Sequence, residues 1–252
     1  MRLTHLFILL IIFALTSCKE QTYNLHKIEG KRIVISDSLN ANSEIDAFIK
    51  PYREHINNDL DSTLAYSVNV FSKNDGLLNT AIGNFLADAV YTQANPVFNK
   101  RTGKNIDLVL LNHGGIRAVL PKGNISKRTA FEIMPFENSI VVVALKGFQI
   151  DSIVNFLSSN KRAHPISQLK LKINANFKPI NATVKGENIN KNKTYYVATN
   201  DYLYEGNDGM TFFKPNDSLY KLNYKIRTAL IDHFNTIDTI NPVIDDRFIQ
   251  IK

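Results

Sequence analysis

Asn112-His113-Gly114-Gly115-Ile116-Arg117 follows directly on the apolar run Asp107-Leu108-Val109-Leu110-Leu111. A short apolar run closed by adjacent glycines reads as a buried strand that ends in a tight turn. The glycines permit positive φ and let backbone come close to a ligand. Asn112 offers a donor and an acceptor together, and Arg117 offers a planar fork suited to carboxylate or phosphate. A bare turn with a solvated arginine would use the same residues, so this stretch fixes the local structure and leaves its chemistry open.

Around it, hydrophobic periodicity alternates between helix and strand. Residues 79–94 form the clearest helical pattern, with Ile82, Phe85, Leu86, Ala89 and Val90 on one face. Before it, residues 64–71 alternate as a strand. Earlier still, Ile45, Phe48, Ile49, Tyr52, Ile56 and Leu60 set a helical pattern with Ser43 as its N-cap. Pro51 inside that pattern predicts a kink or a break. After the glycine turn, 129–134 reads as a short helix or turn, 139–145 as a β-branched strand and 148–158 as a helix. Residues 169–173 and 195–199 read as strands, and 219–234 as a final amphipathic helix followed by Asp-rich, Pro-containing coil. Arg32-Ile33-Val34-Ile35 suggests one strand in an otherwise polar stretch. No repeat or linker divides the pattern, which predicts a single α/β domain.

Composition excludes several classes. The 252 residues are 44% hydrophobic and 21% charged, a globular balance that argues against disorder. One cysteine excludes an intramolecular disulfide and a cysteine-based zinc cage. The formal charge of +7 suits an anionic partner. The basic residues read as scattered, without the stripe of a nucleic-acid binder, so no nucleic-acid partner is expected. At the N-terminus, Arg2 precedes a nearly unbroken apolar run over 6–15 that ends in Leu15-Thr16-Ser17-Cys18. The run suits a secretory signal and is too short to span a bilayer. Its Leu-x-small-Cys ending resembles the bacterial lipobox, whose cysteine is lipidated. The expectation is a lipoprotein signal peptide over 1–17, lipidation at Cys18, a tether over 18–43 and a folded domain over 44–252. Such a protein would sit lipid-anchored on the periplasmic or cell-surface side of a bacterial envelope.

Two further segments carry unusual side chains. In Met134-Pro135-Phe136-Glu137-Asn138 the proline fixes the backbone and projects Phe136 from a loop, where a phenylalanine can serve core or ligand. Thr199-Asn200-Asp201-Tyr202-Leu203-Tyr204-Glu205-Gly206-Asn207-Asp208-Gly209 leaves a strand with two glycines, two tyrosines and two aspartates beyond its Asn200. Alone it reads as a polar turn.

The order N-x-G-G-I-R, P-F-x-N and T-N-D-Y-L-x-x-G-x-D-G, with the helix Ile82-Gly83-Asn84-Phe85-Leu86-Ala87-Asp88-Ala89 ahead of them, resembles the C-terminal domain of the 5′-nucleotidase family over residues 44–250. The resemblance implies a layered α-β-β-α domain that binds the nucleoside part of a nucleotide. It implies that Phe136 and Tyr202 sandwich the base and that Asp208 takes the ribose hydroxyls. It further implies that Asn112 lines the site, that Arg117 contacts the phosphate or ribose side and that Asn138 reads a base edge. Three positions depart from the family pattern. His113 stands where glycine is usual, Lys73 is the one basic residue ahead of the 79–94 helix that could reach phosphate, and Gln168 stands where a later loop has glycine. The family's enzymes carry a separate two-metal phosphatase domain with an Asp-x-His start and a G-N-H loop. None of His5, His26, His55, His113, His164 and His233 begins such a pattern. The expectation is therefore a nucleotide- or nucleoside-binding chain without catalytic residues, metal or cofactor of its own. It would act with a separate metallophosphatase chain that holds the divalent ions. The alternative expectation is a non-catalytic nucleoside-binding lipoprotein.

Overall fold

The computed structural model describes residue 5 and residues 23–251. Cys18 and the expected signal segment, residue 5 excepted, lie outside the described residues. In chain order, the first half is α1 (Ser43–Asp61), β1 (Thr63–Ser67), α2 (Ala81–Thr102), β2 (Leu108–Leu110), β3 (Gly123–Ser126), α3 (Lys127–Ile133), β4 (Ser139–Lys146) and α4 (Gly147–Asn160). Four strands follow: β5 (Ile166–Ser167), β6 (Leu169–Ile173), β7 (Pro179–Val184) and β8 (Glu187–Asn188). The chain closes with β9 (Thr194–Asn200), α5 (Asp201–Tyr204), β10 (Ser218–Lys225), α6 (Ile226–Phe234), β11 (Thr239–Ile240) and β12 (Phe248–Gln250). Residues from Ile49 onward form one compact unit.

The centre is a five-stranded sheet in the order β10-β4-β9-β2-β5. β2 runs parallel to β9, and the other pairs are antiparallel. Successive side chains of a strand point to opposite faces, and here both faces are buried. Val109, Ile140, Val142 and Ala198 enter one core with α2 and α6. Leu108, Leu110, Val141, Val143, Leu145 and Val197 enter the other with α4, β6 and Phe248. Burial on both faces explains why β2 and β4 read as unbroken apolar runs. A four-stranded sheet, β12-β6-β7-β8, closes the second core, and α4 packs on both β4 and β7. The result is a layered α/β fold. A small sheet, β11-β1-β3, completes it.

Several sequence expectations are corrected. Arg32–Ile35 forms no strand, and Ile33, Val34 and Ile35 are exposed. Three successive apolar residues lack the period of two that buries one strand face. α1 continues through Pro51 without a break. Its cap is Asn42, whose Oδ1 accepts from the amides of Glu44 and Ile45 at 3.0 and 3.2 Å; Ser43 is the first helical residue. α2 runs to Thr102 past Pro96. One lost amide is outweighed by Phe98, fully buried with ring centroids 5.5 Å from Tyr196 and 5.3 Å from Tyr220. Gly103, at φ 70°, then closes the helix with its amide on the Asn99 carbonyl. The expected helix over 219–234 splits. Residues 218–225 are β10, paired with β4, and the helix starts at Ile226. Tyr220, Leu222 and Tyr224 alternate toward the first core, a period that suits the strand.

The C-terminal coil also hides β11 and β12, which are held by polar side chains rather than by an apolar pattern. Arg247 donates to Asp88 Oδ1 and Oδ2 at 3.1 and 2.9 Å, to Asp245 Oδ2 at 2.8 Å and to the Ile166 carbonyl at 2.7 Å. Asn79 and Asn84 of the α2 region donate to the carbonyls of Phe248 and Val243, both at 3.0 Å. Arg247 thus ties the last strand to α2. Arg247→Met keeps the volume and removes five donors. It should lower the unfolding free energy by about 2–3 kcal/mol, read as a reduced urea midpoint at unchanged m-value.

Candidate functional site

Three loops leave the same region of the central sheet. Asn112 follows β2, Phe136 and Asn138 lie between α3 and β4, and Tyr202 and Asp208 follow β9. The structure brings Asn112, Arg117, Phe136, Asn138, Tyr202 and Asp208 around one cavity of about 220 Å³, with Gly114 and Gly115 in its wall. Lys73 and His113 are not among the residues that line it. Lys73 instead donates Nζ to the Ile116 carbonyl at 2.8 Å, and His113 Nε2 lies 3.1 Å from the Lys73 carbonyl. Both brace the glycine turn from behind.

Local hydrogen bonds fix each loop. Asn200 caps α5 by accepting from the Leu203 amide at 2.8 Å, which projects Tyr202 from the first turn. Asp201 Oδ1 accepts from the amides of Tyr202 and Ser139 at 2.9 and 3.1 Å, so it joins the β9 end to the start of β4. The Asn207 amide group donates to the Tyr202 carbonyl at 2.8 Å. Asp208 stands at φ 55°, ψ 21°, a left-handed conformation that few side chains adopt as readily as aspartate or asparagine. This aims its carboxylate at two neighbours. Asn112 Nδ2 donates to Oδ2 at 2.7 Å and the Tyr202 hydroxyl to Oδ1 at 3.3 Å. The negative charge of Asp208 raises the pKa of the Tyr202 phenol and keeps it a donor. Gly115 is required by closeness: a Cβ there would lie 2.8 Å from Asn112 Oδ1.

Phe136 and Tyr202 leave 40% and 42% of their surfaces exposed, so both rings present open area to the cavity. The Arg117 guanidinium stands over the Phe136 ring, 5.7 Å from its centroid. Arg227 of α6, absent from any sequence motif, holds the Phe136 loop. It is buried, donates to the Pro135 carbonyl at 3.0 Å, pairs with Glu137 and lies 4.0 Å over the Phe131 ring. Its place in the site follows from folding alone, 90 residues from Glu137.

His164 is the second residue that sequence reading missed. It is buried, its Nδ1 accepts from the His113 amide at 3.4 Å, and its Nε2 lies 3.1 Å from Asn160 Oδ1. The neutral Nε2–H tautomer satisfies both contacts. Burial, reinforced by the nearby charge of His113, pushes its pKa down to about 4. Among the described residues no three His, Cys, Asp or Glu side chains form a group able to hold a metal ion.

A family model, "5′-nucleotidase, C-terminal domain", matches residues 62–215. The chain belongs to this family. The 5′-nucleotidase C-terminal domain also has relatives among curated proteins. The trifunctional nucleotide phosphoesterase protein YfkN of Bacillus subtilis is 28% identical over 189 residues, 68% of this chain and 12% of that protein. The NAD 5′-nucleotidase of Haemophilus influenzae is 26% identical over 159 residues, 54% of this chain and 24% of that protein. Of the first three curated relatives it matches, the chain spans between 12% and 42% of the length. In fold, the domain is similar to a 5′-nucleotidase precursor from Thermus thermophilus, with TM-score 0.67 at 21% identity over 82% of this chain and 42% of that one.

The buried neutral His164 makes stability pH-dependent. Its folded pKa lies below the ordinary histidine value of 6.5. Its contribution is complete above that value and is lost as pH falls toward 4, because the unfolded chain binds the proton first. Unfolding free energy should drop by about 2–4 kcal/mol over this window. His164→Gln, compared by urea titration at pH 7 and pH 4, should remove that part of the slope.

Proposed function

We propose that the cavity takes the nucleoside part of a nucleotide, with the base between Phe136 and Tyr202 and the ribose diol on Asp208. The observation that carries this reading is the convergence of six side chains, from three loops, on one cavity. A carboxylate has about four lone-pair positions. Asn112 and Tyr202 occupy two of them, which leaves two acceptor positions for two vicinal hydroxyls. Arg117 faces the same cavity as a cation for the phosphate or ribose side, and Asn138 can donate to and accept from a base edge. The names of the relatives, a nucleotide phosphoesterase and an NAD 5′-nucleotidase, support the same substrate class.

In this reading the chain serves nucleotide catabolism as the binding part of a split 5′-nucleotidase. A separate metallophosphatase chain supplies the two-metal centre, and the binding chain alone turns over nothing. A lipid on Cys18 holds it on the outer side of a bacterial inner membrane or on the cell surface. Support for the anchor is the 6–18 sequence itself. Cys18→Ala should move the expressed protein from the membrane fraction to the soluble one, and unchanged partitioning would reject lipidation.

Calorimetry with adenosine, AMP and ribose 5-phosphate tests the binding site. Adenosine and AMP should bind, and ribose 5-phosphate should not. Tyr202→Ala should weaken AMP binding by about 1–3 kcal/mol, the usual worth of one stacked base, while Tyr202→Phe changes it little. Asp208→Ala should weaken ribosides and spare 2′,3′-dideoxyadenosine. Equal binding of ribose 5-phosphate and AMP would mean that the rings do not hold a base. A chain that binds AMP but stimulates no metallophosphatase would be a nucleoside-binding lipoprotein instead.

A further inference from the structure

The positive charge of this protein is not scattered. Between residues 161 and 193, eight Lys or Arg stand against the single Glu187. These 33 residues hold the whole formal +7, because the remaining 22 basic and 22 acidic residues cancel. The segment contains β6, β7 and β8, three of the four strands of the second sheet. Leu169, Leu171 and Ile173 of β6 point into the core, so Lys170 and Lys172 point out. Across the ladder they face Thr183 and Asn181. Lys178 leads into β7, Lys185 leaves it, and Lys191 lies in the turn before β9; all are exposed. Acids from other elements temper the field: Asp246 pairs with Lys170 at 2.7 Å, Asp245 feels the same lysine, and Asp107 lies 3.6 Å from Lys185. No acid is paired with Lys172, Lys178 or Lys191 among the contacts of the described residues.

We infer that this sheet face docks on an anionic lipid bilayer. Three features favour a lipid surface over a nucleic acid. The outward positions of β6 and β7 carry lysine, asparagine and threonine but no ring on which a base could stack. Seven of the eight cations are lysine, a hydrated point charge suited to diffuse surface charge, rather than the arginine fork that grips one phosphate. And Lys172, Lys178 and Lys191, the three without an acid partner among the described residues, are exposed on a strand and two turns rather than gathered around one concave site. Each lysine near an anionic bilayer adds about 1 kcal/mol of attraction, and the attraction fades within a Debye length.

The test is co-sedimentation of the full chain with vesicles of phosphatidylcholine alone or with phosphatidylglycerol added at one third. The ratio of the two binding constants cancels any contribution of the apolar N-terminal run. For the unsubstituted chain the ratio should exceed about tenfold at 50 mM salt and approach one at 0.5 M. K172Q/K178Q/K191Q should reduce the ratio at least about tenfold. K100Q/K122Q/K221Q, which removes the same net charge elsewhere, should leave it nearly unchanged. Equal loss in both triple variants would overturn the proposal, since net charge alone would then act. So would a ratio near one at low salt, or a duplex DNA oligonucleotide that binds tightly through these lysines while anionic vesicles do not.

Discussion

Asn112 and Asp208 are 96 residues apart, and the 2.7 Å hydrogen bond between them makes two loops into one site. The bond needs three conditions at once. β2 and β9 must be neighbours, which their parallel pairing provides. Gly115 must have no Cβ, because that atom would meet the Asn112 oxygen. Asp208 must hold a left-handed backbone, which the flanking Gly206 and Gly209, both at positive φ, make accessible. Together they aim two carboxylate oxygens at a cavity whose floor is already built.

Rigidity around the cavity comes from polar groups that face away from it. Arg227 gathers the carbonyls behind Phe136, His164 takes the His113 amide, and Lys73 takes the Ile116 carbonyl. A ligand site on loops loses affinity when binding must also order those loops. Here the ordering is done on folding, by donors and acceptors that no ligand would touch. His164 shows the cost: its burial as a neutral base lowers its pKa to about 4, so folding disfavours its protonation.

The parts of the fold that are legible in the sequence are those with strong local periods. β6, with its Leu-Lys-Leu-Lys-Ile alternation, has the bounds read from the sequence, and the cores of α2, α4 and β4 are also visible there. The strands that escape such a reading are those whose order comes from neighbours. β11 and β12 have two and three residues, and a period cannot be read from so few. β10 reads as a helix because Leu219 and Leu222 extend the helical spacing of Ile226, Ala229 and Leu230, and only pairing with β4 decides. The six candidate residues are visible because they sit in motifs. Arg227 and His164 are not, because their roles depend on partners 90 and 51 residues away.

The same limit explains the charge. Counted over the chain, +7 looks diffuse, and only the sheet topology shows that β6, β7 and β8, which carry or flank most of the lysines of 161–193, are neighbours in one sheet. The alternation that buries Leu169, Leu171 and Ile173 is what turns Lys170 and Lys172 outward, so packing and surface charge are two faces of one pattern. β6 lies inside its sheet, between β12 and β7, so its lysines do not serve to block edge-to-edge pairing, the usual task of charge on an exposed strand. β8, the edge itself, carries Glu187 and Asn188 and only two residues, which already limits pairing. Like charges held on neighbouring positions of one sheet repel each other and add nothing to the fold. Asp246 offsets Lys170, and Lys172 is left without an acid partner beside it among the described residues, which is the local charge on which the inferred bilayer contact rests.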